Sequence, residues 1–140
     1  MFIKPNFEKY ELDEKIKSFI NNCSVLFADL VGFSRLVELR QNEVIERQTR
    51  LMREITDPLL AKFNGRKVKT LGDGFMCQFQ DQINAVEFSM AFLEAVKDFC
   101  ALEPERDVFV FRLGLHFGEV IILEGDVLGN TVNIASRLEG

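Results

Sequence analysis

The sequence predicts an α/β (α+β) domain with a ferredoxin-like βαββαβ core, in which two helices cover one face of an antiparallel sheet. Short apolar runs alternate with longer stretches of helical period in the order β-α-β-β-α-β, followed by an added strand. A chain of 140 residues suits one core. Glycine and asparagine fall at the joints where such a chain must turn.

Leu12, Ile16, Phe19 and Ile20 recur at helical spacing over Tyr10 to Asn21, which predicts a short amphipathic helix leading into the domain. Residues 1–22 are therefore read as a helical lead-in, as linker or dimer contact, and 23–140 as the domain. Cys23 to Leu30 is an apolar strand closed by Gly32, with Ser34 placed to cap a helix. From Asn42 to Phe63, Val44, Leu51, Ile55, Leu59 and Phe63, widened by Met52 and Leu60, mark one face of a long helix that Asn64-Gly65 ends. Arg66 to Leu71 and Phe75 to Phe79 read as strands joined through Gly72-Asp73-Gly74, a hairpin in which the glycines supply positive φ.

A second helix is expected from about Asp81 to Leu102, with Ile83, Val86, Met90, Leu93, Val96 and Cys100 on its buried face and Glu103-Pro104 stopping it. Phe109 to Phe117 and Val120 to Leu123 read as two strands of a hairpin turning at Gly118. Asn130 to Leu138 opens a third helix. No linker composition precedes Gly140, so the domain is expected to be incomplete at its C-terminal end.

Apolar residues make up 47% and charged residues 28%, ordinary globular usage that suggests neither disorder nor a membrane class. A net charge of −5 argues against nucleic-acid binding by bulk electrostatics, which needs a basic face to displace phosphate counterions. Cys23, Cys77 and Cys100 lie in apolar stretches without CxxC spacing, so they read as reduced core thiols and point to the cytoplasm. The first residues lack the apolar stretch of a signal peptide, and no segment reaches the length of a membrane span, so no membrane contact is expected of this segment.

Asp29 sits inside the run Val25 to Phe33, at the end of a strand where a carboxylate carries a large desolvation cost. That cost falls when a cation or backbone amides face it. Gly32 just beyond lets backbone approach a ligand, and a helix follows, which together suit metal and phosphate. Asp73 at a hairpin tip has an ordinary turn role as well as a metal-binding one. Asn133 and Arg137 lie four residues apart on one helical face and could share a ligand, although taken alone they read first as a helix cap and a solvated surface charge.

Four blocks taken together resemble the class III nucleotidyl cyclase catalytic domain: Phe27-Ala28-Asp29-Leu30-Val31-Gly32-Phe33-Ser34, Lys69-Thr70-Leu71-Gly72-Asp73-Gly74, Gly114-Leu115-His116-Phe117-Gly118-Glu119-Val120, and Gly129 through Glu139. The resemblance runs from about Ser24 to the chain end. It implies that Asp29 and Asp73, with the Leu30 carbonyl, hold two divalent cations, Mg2+ or Mn2+, and that Gly32, Phe33 and Ser34 hold phosphates. It implies that Lys69 and Asp126 read the base, adenine in members with this pair, that Asn133 orients the ribose and that Arg137 stabilises charge at the α-phosphate. His116 is left as a structural strand residue.

The implied activity is adenylate cyclase, making cyclic AMP and pyrophosphate from ATP for intracellular signalling, in a head-to-tail homodimer with two composite sites. Regulatory domains would lie outside this chain. Two further readings remain open: a non-catalytic cyclase-homology module that dimerises or binds nucleotide, and a guanylate cyclase or a diguanylate cyclase-like enzyme, whose glycine-acid turn Leu71 to Phe75 resembles.

Overall fold

The computed structural model describes residues 20–123 and 126–139, with the side chain of Glu139 outside the description. The expected leading helix over Tyr10 to Asn21 lies outside it as far as residue 19. Strand β1 spans Ile20–Leu30, so Ile20 and Asn21, expected in that helix, belong to the sheet, where they pair with Ile121 and Val120.

Helix α1, Phe33–Leu51, begins nine residues earlier than the expected Asn42, directly after Gly32, and is kinked at Arg40 (φ −148°, ψ 58°). Ser34 is inside the helix and caps nothing; the entry turn is made by Gly32 at φ +70°, a left-handed conformation that glycine adopts without a Cβ penalty. A π-helical turn, Met52–Thr56, joins α1 to α2, Asp57–Lys62. Pro58 explains the irregularity: it has no N–H to return to the carbonyl of Glu54, so the ladder must rearrange upstream. Asn64 at φ 57° then ends the helix as expected.

Strands β2, Gly65–Leu71, and β3, Gly74–Phe79, form the expected hairpin. The glycines serve it differently from expectation, because Gly72 and Gly74 both keep negative φ. Gly74 is needed for space: a Cβ there would stand 1.8 Å from the Ala28 carbonyl oxygen. Helix α3, Gln82–Ala101, starts at Asp81, whose Oδ1 accepts from the Ile83 amide at 2.8 Å.

Helix α3 is rotated from the expected orientation. Ala85, Phe88, Phe92, Val96, Phe99 and Cys100 face the core, whereas Ile83, Val86, Met90 and Leu93 are exposed. The helix carries two apolar stripes, and the one with three phenylalanines wins because each ring buries more area than an aliphatic chain. Phe92 stacks on Phe88 at 5.7 Å and meets Phe75 and Phe111 edge-on at 5.4 and 5.2 Å.

The expected hairpin at Gly118 is absent. β4 runs unbroken from Phe111 to Leu123 and pairs along the whole of β1, and the chain turns only afterwards into β5, Asp126–Leu128. Gly118 is small because the Thr131 hydroxyl would lie 2.4 Å from a Cβ there. Helix α4, Asn130–Glu139, follows as expected.

The sheet order is β2-β3-β1-β4-β5, and each neighbouring pair is antiparallel. Alternation along β1 splits the core in two. Leu26, Ala28 and Leu30 pack with Phe75, Cys77 and Phe79 under α1 and α3; Cys23 and Val25 pack with Met76, Val127 and Ala135 under α4. The ferredoxin-like core is thus present, with helices on both faces rather than one. The three thiols are free and buried, and burial raises the Cys23 and Cys77 thiols, which keeps them unreactive.

Candidate functional site

Asp29 lies on the sheet face that α4 covers, being in step with Cys23, Val25 and Phe27 along β1. It pairs in register with Gly74 on one side and Arg112 on the other. Its side chain is 17% exposed, and only Oδ2 has a partner, the Arg112 guanidinium at a long 3.5 Å. Oδ1 is buried with no hydrogen-bond partner among the described residues. A desolvated, unsatisfied carboxylate oxygen is costly, and a divalent cation is the kind of group that would satisfy it.

Asp73 is brought beside it by the hairpin turn. The Leu30 amide donates to the Asp73 carbonyl at 2.7 Å, which ties the turn to the end of β1. Gly74 allows that approach by packing directly on the Ala28 carbonyl. Asp29, the Asp73 turn and the Leu30 backbone therefore come together at one strand end. No group of three or more His, Cys, Asp or Glu with metal-binding placement occurs among the described residues, so any cation here depends on this pair and on a bound ligand's oxygens.

Past Leu30 the chain passes into α1 through Gly32, Phe33 and Ser34. The Leu36 amide is the first to bond back, to the Gly32 carbonyl at 3.0 Å, so the amides before it are free of helical partners. No acidic residue occupies the first turn. Free amides and a first turn without acidic residues leave this helix start suited to an anion.

A second group forms between the two edges of the sheet. Lys69 Nζ reaches Asp126 Oδ1 at 3.2 Å, although β2 and β5 are opposite edges of the sheet. Val68, Met76 and Val127 pack together beneath this contact, so the sheet coils until its edges approach. A bulge between Lys67 and Lys69 sets Lys69 opposite Met76 and aims it into the contact. The Val127 amide and then Lys69 hold the Asp126 carboxyl below its ordinary value.

Asn133 and Arg137 lie one turn apart on the exposed side of α4. Asn133 is inside the helix, its amide bonded to Gly129, and caps nothing. The structure thus brings Asp29 to the Asp73 turn and Lys69 to Asp126; among the described residues no hydrogen bond or ion pair joins the two groups. Sequence reasoning missed Arg112, whose cross-strand register with Asp29 becomes visible only once β4 is seen to be continuous, and the Val68 bulge.

Residues 16–140 match the family model described as adenylate and guanylate cyclase catalytic domain. An adenylate cyclase of Streptomyces coelicolor is 37% identical over 115 residues, covering 82% of this chain and 29% of the relative. A solved adenylate/guanylate cyclase/hydrolase from Silicibacter pomeroyi superposes with a TM-score of 0.78 at 33% identity, over 86% of this chain and 70% of that one. The catalytic core of a rhodopsin-guanylyl cyclase with converted specificity, in complex with ATPαS, superposes with a TM-score of 0.74 at 26% identity, over 85% and 70%. The chain spans only 20% and 29% of the first curated relatives it matches. Matched along nearly its whole length in sequence and in fold, the chain belongs to the adenylate and guanylate cyclase catalytic domain family.

Proposed function

We propose that this chain is the catalytic domain of an adenylate cyclase, converting ATP to 3′,5′-cyclic AMP and pyrophosphate in intracellular signalling. The observation that carries the choice of ATP is the Lys69–Asp126 contact at 3.2 Å. The edge of adenine sets an acceptor ring nitrogen beside a donor amine, and this pair sets a donor beside an acceptor. The relatives named adenylate cyclase support the same reading.

Asp29 and Asp73, with the Leu30 carbonyl, hold two divalent cations, Mg2+ or Mn2+; the unsatisfied Asp29 Oδ1 supports this ligand set. Such cations acidify the ribose 3′-hydroxyl and neutralise the phosphates when bound. The amides at Gly32, Phe33 and Ser34 cradle the phosphates and fix the chain of phosphorus atoms. Asn133 orients the ribose. The 3′-oxygen then bonds to the α-phosphorus, the bond to the bridging oxygen breaks, pyrophosphate departs with that electron pair, and the hydroxyl proton passes to solvent. Arg137 offsets the charge that gathers at the α-phosphate.

The separation of the two residue groups supports a composite site. Asp29 and Asp73 of one chain act with Lys69, Asp126, Asn133 and Arg137 of another in a head-to-tail homodimer with two equivalent sites. The test is cyclic nucleotide production with ATP or GTP and Mn2+ across a range of protein concentrations. Cyclic AMP with specific activity rising as chains associate is the expected result; nucleotide binding without turnover would replace the enzyme with a binding module.

A further inference from the structure

Beneath α1, on the opposite side of the Asp73 turn from β1, a cleft of about 330 Å3 opens between the helix and the β2–β3 hairpin. Its floor is apolar, made by Leu51, Phe75 and Phe111. One wall is the π-helical turn with Met52, Arg53 and the buried Thr56; the other is the backbone from Thr70 through Gly72 to Gly74. Its volume is that of a small-ligand pocket. π-Helical turns recur at functional sites because the widened turn breaks the close packing of the helix.

The mouth has a polarity. Asp57 is already taken by Lys67 Nζ at 2.9 Å, whereas Arg53 is exposed and makes no ion pair with a described residue. A ligand with an apolar body and one negative charge answers both floor and mouth. The opposite side of the turn is closed, by the Leu30 amide on the Asp73 carbonyl at 2.7 Å and by Gly74 against Ala28. The cleft side is where the turn lacks packing.

We propose that this cleft is an effector site for a small amphiphilic anion of about a dozen heavy atoms, whose carboxylate or equivalent sits at Arg53 and whose body packs against the turn that carries Asp73. The bound ligand clamps that turn between itself and β1. Its consequence for catalysis rests on Asp73 being a metal ligand; its binding does not.

The test uses the 140-residue chain without metal or nucleotide, so that its failure is separate from failure of the cyclase reading. 4-Phenylbutyrate is titrated while backbone amide resonances are followed by NMR, with 4-phenylbutyramide as the uncharged control. Saturable shifts are expected at residues 49–56 and 71–74, with the acid about threefold to fivefold tighter than the amide, the scale of an exposed ion pair. Arg53→Ala should erase that difference, and Thr49→Trp, filling the cleft from an exposed position, should remove binding while the thermal midpoint holds. Shifts centred on the exposed α3 stripe, no saturation, or equal affinities of acid and amide for the unaltered chain would overturn the proposal.

Discussion

At Asp29 the balance is between desolvation and a missing partner. Arg112 at 3.5 Å leaves Oδ1 unsatisfied, so Asp29→Asn should be tolerated by the fold yet lose Mn2+ binding and lower cyclase activity by about 100-fold or more, as removal of preorganised charge does. Water-proton relaxation with Mn2+ measures the first and product formation the second; retained Mn2+ binding would remove Asp29 from the ligand set. The base-reading pair is tested by Lys69→Glu with Asp126→Cys, expected to move preference from ATP toward GTP. Asp126 has a depressed folded pKa, so its pairing persists above its ordinary carboxylate range and is lost only as pH falls through the lower folded value. The ATP-to-GTP rate ratio should therefore stay constant between about pH 6 and 9, and a fall at the acid end would show that another group reads the base. Asp29 was legible in the sequence because a carboxylate in an apolar run is costly. Arg112 was not, since its role depends on cross-strand register.

The elements were legible where period and punctuation agreed: the β2–β3 hairpin, the stop at Asn64 and helix α4. They failed where one pattern carried two solutions. Helix α3 has two apolar stripes, and sequence period cannot rank them without the area each buries. Phe92→Ala should cost about 3–5 kcal/mol in urea unfolding, whereas Met90→Ser should stay within about 0.5 kcal/mol; equal losses would restore the expected orientation. Likewise Gly118 looked like a turn and is a close approach to Thr131. Gly74 is the same case at the site: Gly74→Ala forces a Cβ into the Ala28 carbonyl, so a loss of about 2 kcal/mol or more in unfolding free energy is expected, together with weaker Mn2+ binding as the turn moves.

Across the whole molecule, the sheet's two faces divide the work. One holds the phenylalanine core under α1 and α3 and, at its edge, the cleft beside the Asp73 turn. The other carries Asp29 and Lys69, which reaches Asp126 at the opposite edge, with α4 presenting Asn133 and Arg137 outward. Among the described residues no helix is long and apolar enough to cross a membrane. The resemblance made this division legible as two residue sets, but which sets meet within one chain depends on the coiling of the sheet, which no local pattern encodes. The shared site is the central claim, and complementation tests it most directly. Asp29→Asn and Arg137→Ala chains, each inactive alone, are mixed in equal amounts and assayed for cyclic AMP. Random pairing places one intact site on half of the dimers, so the mixture should recover about a quarter of the unaltered activity. No recovery, from variants shown to be folded and associated, would contradict a site built from two chains.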